Sequence, residues 1–542
     1  MTATASVAQK RWTMLAVVLA SGIVFLDSSV VTVALPKIGE ELDSALFATL
    51  EGQQYVHNGY LLSLSALLVL AGAISDVYGR RRTLVAGLIG FGVTSLACGL
   101  APTLDLLVLF RVLQGASGAL LVPGSLSIIN TTFDEDERGR AFGIWAGATA
   151  ATTILGPLVG GVLVDSVSWR AAFLVNVPLV LFAIYATLRH VRETRDERAS
   201  HELDWIGALA IMVAVGGLAL GAIRGQQHEW RDAVAYAALA AGVVATIALV
   251  PLMRKRAHPL VPPSLFRSRN FTVANIATLL VYGALYVMFF NLSLFAQGVL
   301  GYNAAAAGIM SMPSSIPLAL FSSKLGKLAT KHGPRLFLAA GFAIMGAGTL
   351  WYARAPGSSD AWLFGTARGE SILPPMSYVV DFLPGLVVFG IGVMMMVAPL
   401  TALVMASVPE EHSGVASALN NAISRVGPQL AGALLFIAIA ATFYGALAER
   451  VPGLDTSRDD VRAAVAPLNR PKADARLELR SGRRIASAAL AEPSRDASTE
   501  AFHVAMVLAA GLLFGGAVVS AVGIRNPRRR ARETATGPGA AS

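Results

Sequence analysis

A carboxylate inside an apolar run is costly, about 2.5–3.5 kcal/mol at the centre of a membrane helix, and this chain keeps one. Asp27 lies about midway along the first apolar stretch, 12–35. Two readings fit it. One is a proton- or substrate-exchanging group, because desolvation favours the protonated carboxyl; the other is a neutralised structural partner of an arginine or backbone group. Arg111, in RVLQGASGALLVPG (111–124), is the obvious partner. A guanidinium there would tune the carboxylate, while Gln114, Gly115 and the small residues after them allow close helix contact.

His57 and Asn58, near the outer end of the second apolar segment, join a polar relay, contact substrate, or form a water-facing pair at the mouth. At the other end of that segment, GAISDVYGRRR (72–82) sets out Gly72, Asp76, Gly79, Arg80, Arg81 and Arg82. Taken alone it is a glycine turn with a positive anchor; its spacing favours a charge latch that opens as two halves of the molecule rock. ILGPLVGG (154–161) combines Gly156, Pro157, Gly160 and Gly161, the composition of a hinge. In NNAISRVG (420–427), Asn420, Asn421 and Arg425 form a polar cluster inside a span, facing a cavity or holding a structural network.

Tyr282, Tyr286, Phe289, Phe290, Asn291 and Phe295, with Met394, Met395 and Met396, offer an adaptable wall for a substrate cavity. Such stripes serve equally as lipid-facing or core surface. No H-E-x-x-H pair, nucleophile elbow or clustered acidic metal site is present, so no catalytic residue and no metal site are expected. Cys98 is the single cysteine and reads as a small core residue.

The elements that must position these groups are membrane helices. Of 542 residues, 55% are hydrophobic and 14% charged, against about 25% charged in soluble domains. Apolar segments of spanning length fall near 12–35, 55–75, 84–101, 105–129, 141–164, 172–188, 205–223 and 233–253. Six more follow near 272–296, 305–323, 336–353, 379–404, 414–446 and 501–524, giving an expectation of fourteen. The first resembles a secretory signal, but it lacks a small-residue cleavage site and carries Asp27, so a retained helix is expected.

A net charge of +9 raises nucleic acid as a partner. The basic residues instead form short clusters at 80–82, 138–140, 189–198, 254–269, 324–335 and 525–532, between apolar segments. They place both termini on the cytoplasmic side.

GAISDVYGRR (72–81) is echoed by GKLATKHGPR (326–335), and EDERGRA (135–141) by EEHSGVA (410–416). Repeated halves build many secondary transporters. The expected organisation is an all-α polytopic protein: a six-helix bundle over 1–190, a two-helix insert with linkers over 191–270, a second six-helix bundle over 271–524, and a basic cytoplasmic tail, 525–542. Outer loops 354–378 and 447–500 belong to the second bundle. The latter lacks the apolar content of a domain and is expected to be flexible or weakly helical.

The ordered set LDSSVVTVALP (26–36), GAISDVYGRRR (72–82), RVLQG (111–115), GPLVGG (156–161) and WRAAFLVNVP (169–178) resembles the major facilitator superfamily, in particular its fourteen-helix drug:proton antiporter branch of EmrB/QacA type. The resemblance covers essentially the whole chain. It implies the major facilitator fold, alternating access by two six-helix bundles, proton uptake at Asp27 and export of amphipathic compounds. Departures are Thr152, where that branch usually has a glycine and a stiffer bend is expected, and the mild changes Ser29 and Thr32. The second half carries no membrane-centre Asp or Glu of the kind some dication exporters use.

The reading is therefore a proton-coupled multidrug efflux antiporter, not an enzyme. Its cofactor is none beyond the proton gradient. Its partners are the lipid bilayer, lipophilic small molecules and protons, with no nucleic acid, and it works as a monomer in the cytoplasmic (inner) membrane. The rivals are an exporter of lipids or lipid-like metabolites and, more remotely, a membrane-embedded enzyme or ligand sensor.

Overall fold

The computed structural model describes residues 6–526 except 44–48, 196–203, 228–229, 257–258, 366–368, 410–411, 470, 472–475 and 480–483. Most of the tail 525–542 lies outside the described residues. The first half is built from α1 (Val7–Glu41), α2 (Thr49–Tyr78), α3 (Arg80–Gly99), α4 (Leu104–Gly118) continued by α5 (Leu121–Thr132), α6 (Glu135–Ser166), the short α7 (Ala171–Leu174) and α8 (Asn176–His190). A hairpin of α9 (Trp205–Gln227) and α10 (Ala233–Lys255) follows. The second half contains α11 (Arg269–Leu294), α12 (Ala304–Met310), α13 (Met312–His332), α14 (Pro334–Tyr352), α15 (Met376–Asp381), α16 (Leu383–Ala406), α17 (Ser413–Arg450), α18 (Asp459–Ala464) and α19 (Ala491–Gly523).

Backbone groups in a bilayer must be satisfied within the segment, which leaves helices as the answer for runs this apolar. Among the described residues, 12 helices are long and apolar enough to cross a membrane, against fourteen expected from sequence. The two expected segments outside that set fall on α6 and α13, helices of 32 and 21 residues with charge-bearing ends, EDERGR and KLGKLATKH.

The repeat seen in sequence is a repeat in structure. Gly79 (φ 106°) and Gly333 (φ 90°) hold corresponding positions and turn the chain between α2 and α3 and between α13 and α14. An L side chain is strained at such φ values. The helices that follow are capped alike: Glu193, just after α8, accepts the N–H groups of Arg81 (3.0 Å) and Arg82 (3.1 Å), and Asn526, just after α19, accepts that of Arg335 (3.1 Å).

The halves meet reciprocally at this end. A Cβ on Gly72 would lie 2.6 Å from Ala418 Cβ and from the Gly414 carbonyl, and one on Gly326 would overlap the Gly139 carbonyl. The glycine of each GxxxxxxG repeat thus seats against the glycine of the opposite half's EDERG or EEHSG echo, with α2 on α17 and α6 on α13.

The hairpin is more than a joint. Its helix α9 packs against both α2 and α17, across the seam between halves, while α10 packs on α9 and turns Val243, Val244 and Ile247 outward. Gly217, Gly221 and Gly242 bring the two backbones together.

Among its described residues, segment 447–500 holds the short α18 and an antiparallel pair, β1 (Arg476–Glu478) with β2 (Arg484–Ala486), and it buries Val461, Val465, Leu468 and Leu477 in the main core. With Leu454 and Leu490 also buried there, the segment adds to the main core instead of forming one of its own. Loop 354–378 is likewise anchored: Trp362 packs on Tyr378 (5.4 Å) and donates to the Ser371 carbonyl at 3.0 Å.

Candidate functional site

Asp27 is fully buried, and each of its oxygens has a donor. Its Oδ2 accepts from Arg111 Nη1 at 2.6 Å, and its Oδ1 from Asn176 Nδ2 at 2.8 Å and Gln114 Nε2 at 3.1 Å. Arg111 in turn gives Nη1 to Gln114 Oε1 (2.7 Å) and Nε to the Val56 carbonyl (3.0 Å), with its guanidinium 4.1 Å from the Tyr60 ring centre. Ser95 Oγ accepts from both Gln114 (2.9 Å) and Asn176 (3.0 Å). The α1 carboxylate is thus bonded by α4 and α8, and α2 and α3 hold the donors in place.

A pair of opposite charges this dry is held by geometry and by the extra hydrogen bonds around it. Two atoms are left over: Arg111 Nη2 and Asn176 Oδ1 are buried without a partner. Close approach of α2 and α4 is enforced by Gly115, whose Cβ would overlap the Tyr60 carbonyl and Ser63 hydroxyl.

At the far end of α2 a second charge cluster joins the halves. Asp76 Oδ1 accepts from Arg80 Nη2 (3.1 Å) and Nε (3.3 Å), its Oδ2 accepts the Val415 N–H (3.2 Å), and Arg80 Nη2 also donates to Ser413 Oγ (3.0 Å). The carboxylate therefore sits at the positive end of the 38-residue helix α17. Arg82 lies exposed, 3.8 Å from Glu193. The corresponding position to Asp76 in the second repeat is Thr330, so the charge is one-sided.

Between the halves lies a cavity of about 350 Å³. His57, Tyr286, Asn421 and Arg425 line it, as does Tyr282, and α9 contributes Ala219 and Ile223. His57 Nδ1 and Arg425 Nε are buried without hydrogen-bond partners.

The other cavity candidates are placed elsewhere. Asn420 donates to Asn275 Oδ1 and Thr278 Oγ1, tying α17 to α11. Asn291 bonds back to the Val287 carbonyl, and Phe295 stacks on Phe502 in the core. Phe289 packs edge-on against Phe389; Phe290 stacks on the side of Tyr286 and is 39% exposed. Asn58 is half-buried and off the wall, and Met396 is a core residue. One helix cannot turn residues 286, 289, 291 and 295 to the same side, because 3.6 residues per turn spreads them around it.

Residues 17–432 match the Major Facilitator Superfamily. The chain belongs to that superfamily. Relatives include the multidrug resistance protein Stp of Mycobacterium tuberculosis H37Rv, 32% identical over 431 residues (79% of this chain, 76% of that protein). The tetracenomycin C resistance and export protein of Streptomyces glaucescens is 31% identical over 428 residues, covering 79% and 76%. The cephamycin export protein CmcT of Amycolatopsis lactamdurans is 32% identical over 432 residues, covering 79% and 84%. The fold matches that of the human organic anion transporter MFSD10, with a TM-score of 0.58 at 12% identity over 93% of this chain and 99% of that one. The protein is a multi-pass membrane transporter, not an enzyme.

In this major facilitator, the α1–α6 seam explains how Thr152, the departure ahead of GPLVGG (156–161) on α6, is accommodated. A Cβ on Gly156 would overlap Ser29, and one on Gly160 would meet the Val30 carbonyl at 3.0 Å, while the bulk of Thr152 is received by Gly22, whose Cβ would touch Thr152 at 3.3 Å. Gly161 has open space around it, and α6 runs unbroken from Glu135 to Ser166. The Pro157 side chain lies outside the described residues.

Sequence reading passed over Asn176, Ser95, Tyr60 and Glu193. Asn176 had a signal, a lone amide within the WRAAFLVNVP motif; Ser95 had none beyond being a hydroxyl in an apolar run.

Proposed function

We propose that this major facilitator is a proton-coupled antiporter of the fourteen-helix drug:proton branch, exporting hydrophobic or amphipathic small molecules. The observation that carries the reading is the Asp27–Arg111 pair, a buried titratable carboxylate beside a cavity that both halves line. Names of relatives that denote multidrug resistance and antibiotic export support it.

In this reading α6 and α13 join the twelve apolar helices as spans, giving two six-helix bundles and the α9–α10 insert. The protein works as a monomer in the cytoplasmic membrane with both termini inside, on the proton gradient alone. A proton arriving at Asp27 Oδ2 takes the lone pair that Arg111 Nη1 now occupies. The guanidinium, still tied through Nε to the Val56 carbonyl, is released toward Tyr60, and α4 loses its charged tie to α1. At the cytoplasmic end, the Asp76–Arg80–Ser413 cluster holds the halves shut and parts when they rock. The α1–α6 glycine seam lets α6 slide as they do so.

The test is gradient-driven uptake into everted vesicles, using a panel of cationic, neutral and anionic fluorescent amphiphiles. Uptake of at least one probe by the wild type, lost in Asp27→Asn while substrate binding persists, is the expected result. Undiminished gradient-driven uptake by Asp27→Asn overturns the role given to that residue.

A further inference from the structure

We propose that the central cavity takes amphiphiles bearing an anionic oxygen group, with Arg425 as the anchor. This deepens the export reading by naming its substrate class, and it rests on that reading only for the step from binding to transport.

Arg425 stands on the cavity wall contributed by α17. Its Nε is buried without a hydrogen-bond partner, and its guanidinium carbon lies 5.7 Å from the centre of the Phe25 ring. No described carboxylate pairs with it, and the lining residues include no Asp or Glu. Asp27, two positions along α1 from Phe25, is occupied by Arg111, Gln114 and Asn176, so the charges of Asp27 and Arg111 cancel locally. The cavity is left with one uncompensated guanidinium.

An unpaired buried cation is costly, and a planar five-donor fork matches a carboxylate, sulfonate or phosphate in bidentate fashion. Around it the wall offers Phe25, Trp145, Tyr282, Tyr286 and Ile223 for a flat apolar body, with His57 Nδ1 also unpartnered. A lipophilic cation would find this surface and no counter-charge. For an exporter, an anion leaving and a proton entering both carry positive charge inward, so an inside-negative potential drives the exchange.

The test is equilibrium binding by the purified full chain in zwitterionic lipid nanodiscs, with no pH gradient, of pyrenebutanoate and pyrenebutyltrimethylammonium. The two probes share one apolar body and carry opposite heads. Wild type is expected to prefer the carboxylate. Arg425→Gln is expected to lower the ratio of the two affinities about tenfold or more, with Arg425→Lys keeping most of the preference. Partitioning into lipid is common to all variants and cancels.

A ratio unchanged in Arg425→Gln, or a wild type that prefers the ammonium probe, overturns the assignment. Should Arg425→Gln not survive purification, Gln429→Glu, which puts a carboxylate on the same wall, must abolish the preference or the proposal fails. Repeating the measurement in phosphatidylglycerol separates two sources of the group. A loss of carboxylate affinity larger in wild type than in Arg425→Gln identifies a lipid phosphate as occupant, and equal losses identify a free organic acid. Because no gradient is used, failure here leaves the Asp27 transport result untouched, and the reverse also holds.

Discussion

The Asp76 carboxylate accepts the backbone N–H of Val415 at 3.2 Å, so a side chain of the first half caps the first turn of α17 in the second. Asp76→Asn keeps an acceptor but removes the charge that faces the helix end and Arg80. The closed arrangement of this face is expected to weaken by about 1–3 kcal/mol. Spin-label distances measured across the face would lengthen for a larger share of molecules; an unchanged distribution would show that the cap does not hold the halves together.

Glycine at the reciprocal seam sets a steric test. Gly72→Val has no room beside Gly414 and Ala418, and Gly326→Val has none beside Gly139. Both variants are expected to fold, to keep this end of the molecule from closing, and to lose transport. Gly161→Ala, with open space at its Cβ, is the matched control and should transport normally.

Removing one member of the buried pair costs more than the pair contributes. Arg111→Ala leaves Asp27 without its charge partner and is expected to lower thermal stability by about 3–5 kcal/mol. The double variant Asp27→Asn with Arg111→Leu should recover much of that loss without recovering proton coupling. Melting in detergent and vesicle uptake read the two effects separately.

Across the α1–α6 seam, Gly156→Ala forces a methyl into Ser29, whereas Gly156→Ala with Ser29→Gly restores the space. A coupling energy of about 0.5–3 kcal/mol is expected from the double-mutant cycle. A value near zero would mean that the helices separate freely there.

The Lys10 ammonium, bonded to Asp134 at 2.8 Å and Glu137 at 2.6 Å, joins the start of α1 to the start of α6. The hydrogen bond from Lys10 holds the Asp134 carboxyl below its ordinary 3.8. A lowered folded-state value means that the stabilisation is complete above 3.8 and fades as pH falls through the lower folded value. Both carboxylates are exposed, so Lys10→Ala is expected to shift the melting temperature only slightly at neutral pH, and not at all in strong acid.

What the sequence determined by itself is what depends on short range. Apolar length and the need to satisfy the backbone locally specify membrane helices, and the spacing in GAISDVYGRR and GKLATKHGPR announces the repeat and its paired turn glycines. The order of motifs points to the superfamily, and Asp27 and Arg111 stand out because charge is rare in apolar runs. Tertiary structure decided the partners and the faces. Asn176 reaches Asp27, Ser95 holds the amides of Asn176 and Gln114 that do so, Glu193 caps α3, and α9 closes the seam between α2 and α17, all through contacts distant in sequence. On α11 and α17 it chose Tyr282, Tyr286, Asn421 and Arg425 for the cavity, and it turned Asn420, with Phe295 just past the end of α11, into packing. In a bilayer both the lipid-facing and the core-facing sides of a helix are apolar, so little amphipathic phase is left in the sequence to say which residues point inward. Only the packing of the helices against one another fixes that rotation.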